Sequence, residues 1–407
     1  MRVLLSTYGG RGDVEPLVGL AVQVQALGAE VTVCAPPDWG GRLAQYGVPF
    51  TAVGASVHQM LHGSTPPSVA DVPRRAAELM AEQFAKLPAV AEGCDAMVAT
   101  GLFPVAASVQ SVAEKLGIRY VFAAYCPIFL PSPHFRPMPA PTRPLPADVT
   151  DNRVLNELNI DNYNAVFGDA LNANRAAIGL PPVDNVRDHV FTGHPWLAAD
   201  PVLAPWPEPA DLDVVQTGAW RVVDERPLPA ELEAFLDAGE PPVYVGFGSM
   251  RAPQDAARVA VEAIRAHGRR AVIARGWADL APIDDEDDCL AVGEINQQAL
   301  FPRVAAVVHH GGAGTTTTAA RAGAAQVVVP QMADQPYFAA RVAELGIGSA
   351  HDGPTPSVES LSAALGAALT PAIRARAAEV AGTIRADGAA VAAKLLLDAA
   401  ALGRSPS

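Results

Sequence analysis

"VVHHGGAGTTTTAARAGAAQVVVPQMADQP", residues 307–336, decides the fold class. A short apolar run ends at His309-His310, the chain turns on Gly311, Gly312 and Gly314, and residues 315–318, all threonine, open an alanine-rich helical stretch. A second apolar run follows at 326–329. Strand, glycine turn, helix and strand make one repeat of a parallel α/β sheet, whose strands are covered on both faces and so read as unbroken apolar runs. The glycines let backbone approach a ligand closely. The helix start offers free amide donors at the positive end of its dipole, which suits a diphosphate. A plain tight turn would need only the glycines; the two histidines and the threonine cluster favour phosphate.

The same rhythm extends outward. Strand-like runs at 242–247, 271–274, 290–292 and 305–308 alternate with helical stretches, notably 254–267 and 336–345. Near the start, runs at 3–5, 30–33, 96–99 and 120–123 do the same, and the first helix carries Leu17, Leu20, Ala21 and Val24 at helical spacing before Gly28. Between the two series lies "DPVLAPWPEPADLD" (200–213), whose breakers read as an inter-domain linker. The expected fold class is therefore α/β, with two parallel-sheet domains and a ligand cleft at the carboxyl ends of the strands. The expected division is 1–207, 208–383 and a final helical segment 384–407 packing back on the first domain. The proline-rich stretch 127–146 is expected to be a long surface loop and part of a substrate mouth.

Composition bounds the partners. A chain of 407 residues, half of them hydrophobic, suits two packed domains. A net charge of −14 argues against nucleic acid or an anionic membrane as the main partner, since both need a basic surface. Cys34, Cys94, Cys126 and Cys289 are scattered without metal spacing and are expected to be free thiols. Neither a signal peptide nor a membrane-spanning run is evident, so a cytoplasmic location is expected.

"STYGGRGDVEP" (6–16) is the second chemical stretch. A dinucleotide fingerprint would need an acid ending the second strand, where Cys34-Ala35 stand. An Arg-Gly-Asp adhesion tripeptide would need a secreted context. What remains is a glycine-softened platform, Gly10 and Gly12 lying close to a bulky ligand, with Asp13 facing it just past the first strand. The alternative for Asp13 is a carboxylate that merely favours a helix N-terminus, a task that Glu15 is expected to take.

With these residues in view, "HHGGAGT", Gly323 and "PQMADQP" resemble the donor-binding signature of inverting nucleotide-sugar glycosyltransferases built from two facing Rossmann-like domains, the GT-B type. The upstream "GEINQQALF" is similar to that family's nucleobase segment. The chain as a whole most resembles the bacterial enzymes of vancomycin- and teicoplanin-type glycopeptide antibiotic biosynthesis, through "GRGDVEPLVGLA", "NRAAIGLPPV", "GFGSM" and "RGWADL" among others. The resemblance implies that His310 donates to the diphosphate, with His309 beside it and the amides of Gly312, Ala313, Gly314 and Thr315 adjacent. It implies Ser249 on the other side of the phosphates, Ile295 and Gln298 framing base and ribose, and Trp277 as an aromatic neighbour. Asp334 and Gln335 would bind sugar hydroxyls, and Asp13 would be the general base. Many members carry a ribose-binding glutamate where this chain has Thr318.

The implied reaction moves a hexose, glucose or N-acetylglucosamine, from a UDP-sugar to a hydroxyl of a heptapeptide aglycone, without metal or other cofactor, by a monomer or weak dimer. The rivals are a dTDP-deoxysugar donor, a macrolide or polyketide acceptor, a UDP-sugar epimerase and a non-catalytic sugar-nucleotide-binding helper. "DDEDD" (284–288) is expected to be a solvated acidic loop rather than an Asp-x-Asp metal site. His58, His62, His134, His189, His194, His267 and His351 show no metal spacing.

Overall fold

The computed structural model describes residues 1–62, 68–250, 252 and 255–402. The chain divides into two compact units. The first comprises Met1–Ala199, Pro205–Val222 and Ala386–Ser407; the second, Asp200–Ala204 and Val223–Arg385. The stretch 200–213 is therefore shared between the units; the chain enters the body of the second at Val223, where the expected break was 207/208, and returns to the first at Ala386.

The first unit holds seven parallel strands: β1 (Arg2–Ser6), β2 (Glu30–Ala35), β3 (Phe50–Ala52), β4 (Ala96–Thr100), β5 (Arg119–Ala124), β6 (Trp196–Leu197) and β7 (Val215–Gln216). Their order is β3-β2-β1-β4-β5-β6-β7. The second holds β8 (Val243–Gly246), β9 (Ala271–Ala274), β10 (Cys289–Val292), β11 (Ala306–His309), β12 (Ala325–Val328) and β13 (Gly348–Ala350), ordered β10-β9-β8-β11-β12-β13. In both sheets the order reverses beside the first strand, which makes each a Rossmann-like unit with its crevice at that switch point.

The apolar runs named in the sequence are the inner strands and one edge strand, β10. The strands that sequence reasoning missed, β3, β6, β7 and β13, are two or three residues long and lie towards the sheet edges. Such pieces are too short to show a period and are held by their neighbours' hydrogen bonds. Residues within one strand serve opposite faces: Val243 and Val245 pack with Val259 and Ile264, whereas Tyr244 packs with Val272, Leu300 and Phe301. Each such fully buried side chain contributes about 1.5–3 kcal/mol.

The helix Arg11–Ala26 follows β1, and the C-terminal helix Gly388–Leu402 packs against it. The expected helix at 254–267 is seen as Ala256–Arg265, its first expected residue, Gln254, lying outside the described residues. The proline-rich stretch is irregular but firmly tied. Asn152, Asn156 and Asn159, one turn apart on the helix Asn152–Ala177, donate side-chain amides to the carbonyls of Pro133, Ser132 and Met138. Arg136 closes it from within by donating to the Leu145, Pro146 and Val149 carbonyls.

Candidate functional site

In the second unit the chemistry gathers at the carboxyl ends of the strands. β11 ends at His309, and Gly311 turns the chain at φ +90°, a left-handed conformation that favours glycine. A Cβ there would also meet Val328 Cγ1 at 2.7 Å and the Gln335 carbonyl oxygen at 3.1 Å. Gly312 is the N-cap of the helix Ala313–Arg321 and supplies no side-chain cap, so the first amides of that helix are left for another acceptor. The threonines act differently from the expectation. Thr316, Thr317 and Thr318 donate their hydroxyls back to the carbonyls of Gly312, Ala313 and Gly314, one turn earlier. They support the helix from inside, and Thr318, standing at the ribose-glutamate position, has its proton committed there.

The two histidines split in role. His310 lies between the flanking turns: a Cβ on Gly248 would come within 3.2 Å of its Cε1, and one on Gly312 within 2.5 Å of its Nε2. Burial pushes its imidazole down to about 4, against an opposite pull from the Gly246 carbonyl, so it is neutral at pH 7 and carries a single N–H. His309 is fully buried, its Nδ1 accepting from the Gly311 N–H at 3.1 Å and its Nε2 2.9 Å from Gln326 Oε1. Both its nitrogens are occupied within the fold, one by the Gly311 amide of the turn and the other by Gln326 on β12.

The neighbouring loops end at the same edge. Ser249, half-buried, follows β8. The Trp277 backbone N–H donates to the Gly248 carbonyl at 3.1 Å, which ties the loop after β9 to the loop after β8. Gln298 is half-buried on the short helix Gln297–Leu300 after β10. Ile295 is 8% exposed and packs in the core with Leu300 and Phe301, so a base there would meet backbone rather than this side chain. Asp334 precedes the helix Gln335–Glu344 without capping it, and burial pushes its carboxyl up to about 6. Gln335 is spent: its Oε1 accepts from the Gln331 and Met332 amides and its Nε2 lies against Met250 Sδ. It shapes the turn ahead of the helix, in which the Asp334 side chain makes no cap bond.

In the first unit, Asp13 sits in the opening turn of the helix Arg11–Ala26, and its Oδ2 accepts from the Gly10 N–H at 2.9 Å. Glu15 does not relieve it of this cap, as was expected; Glu15 is held by Arg42 at 2.7 Å. Gly9, from the same glycine turn, and Gly101 make room for the carboxylate. A Cβ on Gly9 would lie 1.9 Å from Asp13 Oδ2, and one on Gly101, at φ +79°, would lie 3.2 Å from Oδ1. Gly12, in contrast, has open space where a Cβ would go. Thr7 donates to the Thr100 carbonyl, and the Tyr125 hydroxyl lies 2.9 Å from Thr100 Oγ1. The ends of β1, β4 and β5 thus converge on one carboxylate. Thr7, Thr100, Gly101, Tyr125 and Gln326 were not singled out, because each acquires its meaning from a partner far away in sequence.

Of the stretch 55–75, the described part is largely helical, with Val57–His62 and the start of Val72–Ala91; residues 63–67 lie outside the described residues, as does the His62 side chain. Among the described residues no cluster of histidine, cysteine or acidic side chains could hold a metal ion, and no helix is long and apolar enough to cross a membrane. The acidic run 284–288 precedes β10, at the amino ends of the strands, and its Asp284 and Asp288 clasp Arg265. The four cysteines are free.

The chain matches the glycosyltransferase family 28 N-terminal domain over residues 3–132 and the erythromycin biosynthesis protein CIII-like C-terminal domain over 277–395. It is 61% identical over 384 residues to glycosyltransferase GtfE of Amycolatopsis orientalis, covering 94% of each chain. It is 59% identical to the vancomycin aglycone glucosyltransferase of the same organism, again over 94% of each chain. The chain belongs to this glycosyltransferase family. The dTDP-epi-vancosaminyltransferase of that organism is 52% identical over 93% of each chain, so the glycosyltransferase has near relatives named for two donor types. Its fold is also that of the solved kitacinnamycin glycotransferase, with a TM-score of 0.74 at 20% identity over 98% of each chain. The fold is the GT-B type, and the glycosyltransferase carries the Gly-rich turn and Asp13 on separate units.

Proposed function

We propose that this glycosyltransferase moves a hexose, glucose or N-acetylglucosamine, from a UDP-sugar to a hydroxyl of a glycopeptide antibiotic aglycone, with inversion at the anomeric carbon. The observation that carries the donor half is the uncapped start of the helix Ala313–Arg321, flanked by the neutral imidazole of His310. Those amides and one N–H stabilise charge on the departing diphosphate without a metal ion. Ser249 approaches the phosphates from the loop after β8, and Asp334 binds sugar hydroxyls. Trp277, Gln298 and the backbone at Ile295 frame the base and ribose.

The acceptor half rests on Asp13. Its Oδ2 is anchored by Gly10, which aims Oδ1 at an incoming hydroxyl and takes its proton as the hydroxyl oxygen attacks the anomeric carbon. The carbon–phosphate-oxygen bond breaks as the new glycosidic bond forms, and the electron pair leaves with the nucleoside diphosphate. A positioned general base contributes about 10²- to 10⁴-fold in rate. Gly10 and Gly12 give a bulky aglycone room beside it. A heptapeptide acceptor is favoured by the end-to-end similarity to a protein named for the vancomycin aglycone.

A dTDP-deoxysugar is the second reading, favoured by the similarity to a dTDP-epi-vancosaminyltransferase. Mass spectrometry of heptapeptide aglycones incubated with a panel of UDP- and dTDP-sugars separates the two. One hexose added from a UDP-sugar is expected. Transfer only from dTDP-deoxysugars would replace the donor assignment, and no mass shift across the panel would overturn the acceptor class.

A further inference from the structure

We propose that His309 and Gln326 are positioning residues for the diphosphate-facing turn: Gln326 fixes the histidine tautomer so that Nδ1 stays open to the Gly311 N–H. The inference rests on the donor reading above and assigns to that site two side chains that never touch the donor.

Hydrogen-bond logic leaves one arrangement. The Gly311 N–H can only donate, so His309 Nδ1 must be unprotonated, and a neutral imidazole then carries its proton on Nε2. That proton needs an acceptor, and Gln326 Oε1 stands 2.9 Å away. The same requirement sets the glutamine's orientation, with its Nε2 turned to where it is buried without a partner among the described residues. Burial keeps the imidazole neutral by pushing it down to about 3.

An inner strand pair is a costly place for this arrangement. Val307 faces Gln326 and His309 faces Val328 in the β11–β12 register, where apolar residues would pack without leaving an orphaned amide. What the pair secures is Gly311, held at φ +90° between Val328 and Gln335. Gly311 in turn links His310 to the Gly312 N-cap, against which the His310 ring lies. A loosened Gly311 amide would therefore misplace both donors to the diphosphate together, and a small error in that geometry is costly.

The test is UDP affinity of the purified full chain by titration calorimetry, with dTDP in parallel and melting temperature as a folding control. His309→Leu removes the acceptor, and Gln326→Leu removes the tautomer lock while filling its space. His309→Asn keeps an oxygen near the position of Nδ1. Leaving the buried Gly311 amide unpaired should weaken UDP binding by roughly tenfold to a hundredfold in both leucine variants. His309→Asn should remain within about threefold of wild type, a rescue that general damage to the fold would not produce. Unchanged UDP affinity in folded His309→Leu or Gln326→Leu, or an asparagine variant as weak as the leucine variant, would overturn the inference alone. If His309→Leu does not fold, Gln326→Leu and His309→Asn decide it. Failure of wild-type protein to bind either nucleotide would overturn the donor reading and this inference with it.

Discussion

The Tyr125 hydroxyl lies 3.1 Å from the main-chain carbonyl oxygen of Asp13, across a sequence separation of 112 residues. A carbonyl can only accept, so the tyrosine proton goes to it, and the Thr100 hydroxyl 2.9 Å away donates in return. Tyr125 thereby fixes the opening turn of the helix Arg11–Ala26 to the ends of β4 and β5. Burial raises its phenol far above the ordinary range, so the hydroxyl stays protonated at any working pH. Tyr125→Phe should lower the melting temperature by about 2–4 °C, equivalent to roughly 1 kcal/mol. It should also reduce kcat by about tenfold through displacement of the carboxylate, while leaving UDP affinity as in wild type. An unchanged kcat would remove Tyr125 from the account of Asp13.

Asp13→Asn keeps a side-chain oxygen for the Gly10 N–H, so the helix start survives while the base is lost. Transfer should fall by about 10²- to 10⁴-fold with UDP affinity nearly intact. Steady-state kinetics and calorimetry on one preparation test both halves. Collapse of UDP affinity would make residues 9–13 a phosphate site instead.

Gly9 and Gly12 should respond in opposite ways. Alanine at Gly9 collides with the Asp13 carboxylate and should abolish transfer in a protein that still binds UDP. Alanine at Gly12, on a helix and with space around it, should stabilise the chain by about 0.5–1 kcal/mol and raise KM for a bulky aglycone. Thermal melts and acceptor titrations of the two variants separate steric support of the base from room for the acceptor.

Acid should destabilise this protein through its two adjacent histidines. Unfolded, both imidazoles take up protons below their ordinary value of 6.5; folded, burial holds them neutral to about 3 and about 4. The unfolded chain binds more protons across that window, so stability falls as pH drops through it. Asp334 works the other way between its ordinary 3.8 and about 6, because the folded state holds its proton more tightly, but it is one group against two. Denaturant midpoints at pH 7, 5.5 and 4.5 should decline in that order, and less steeply in a His309→Asn, His310→Asn double variant. A double variant with the wild-type slope would show that other groups control the acid limb.

Transfer should proceed at its full rate in excess EDTA, since amides and an imidazole serve the leaving group. A rate that requires added magnesium would contradict this assignment.

Local pattern alone determined the apolar inner strands, the glycine that closes the first helix, the glycine turn at 311–314 and the acid following β1. Each depends on residues within a few positions of one another, as strand and helix periods do. The acidic run 284–288 was also legible, because like charges in a row have no core to enter. Tertiary structure alone decided which polar atoms are available. His309 and His310 are adjacent in sequence and alike in chemistry. One is turned inward by Gln326, 17 residues away, and the other is left between two glycines. Asp334 and Gln335 part more locally, the glutamine being consumed by the Gln331 and Met332 amides of its own turn. Asp13 depends on Gly101 and Tyr125, which reach it only because β4 lies beside β1 and β5 beside β4. Hydrogen-bond capacity is spent between strands far apart in sequence, and no local pattern records where it goes.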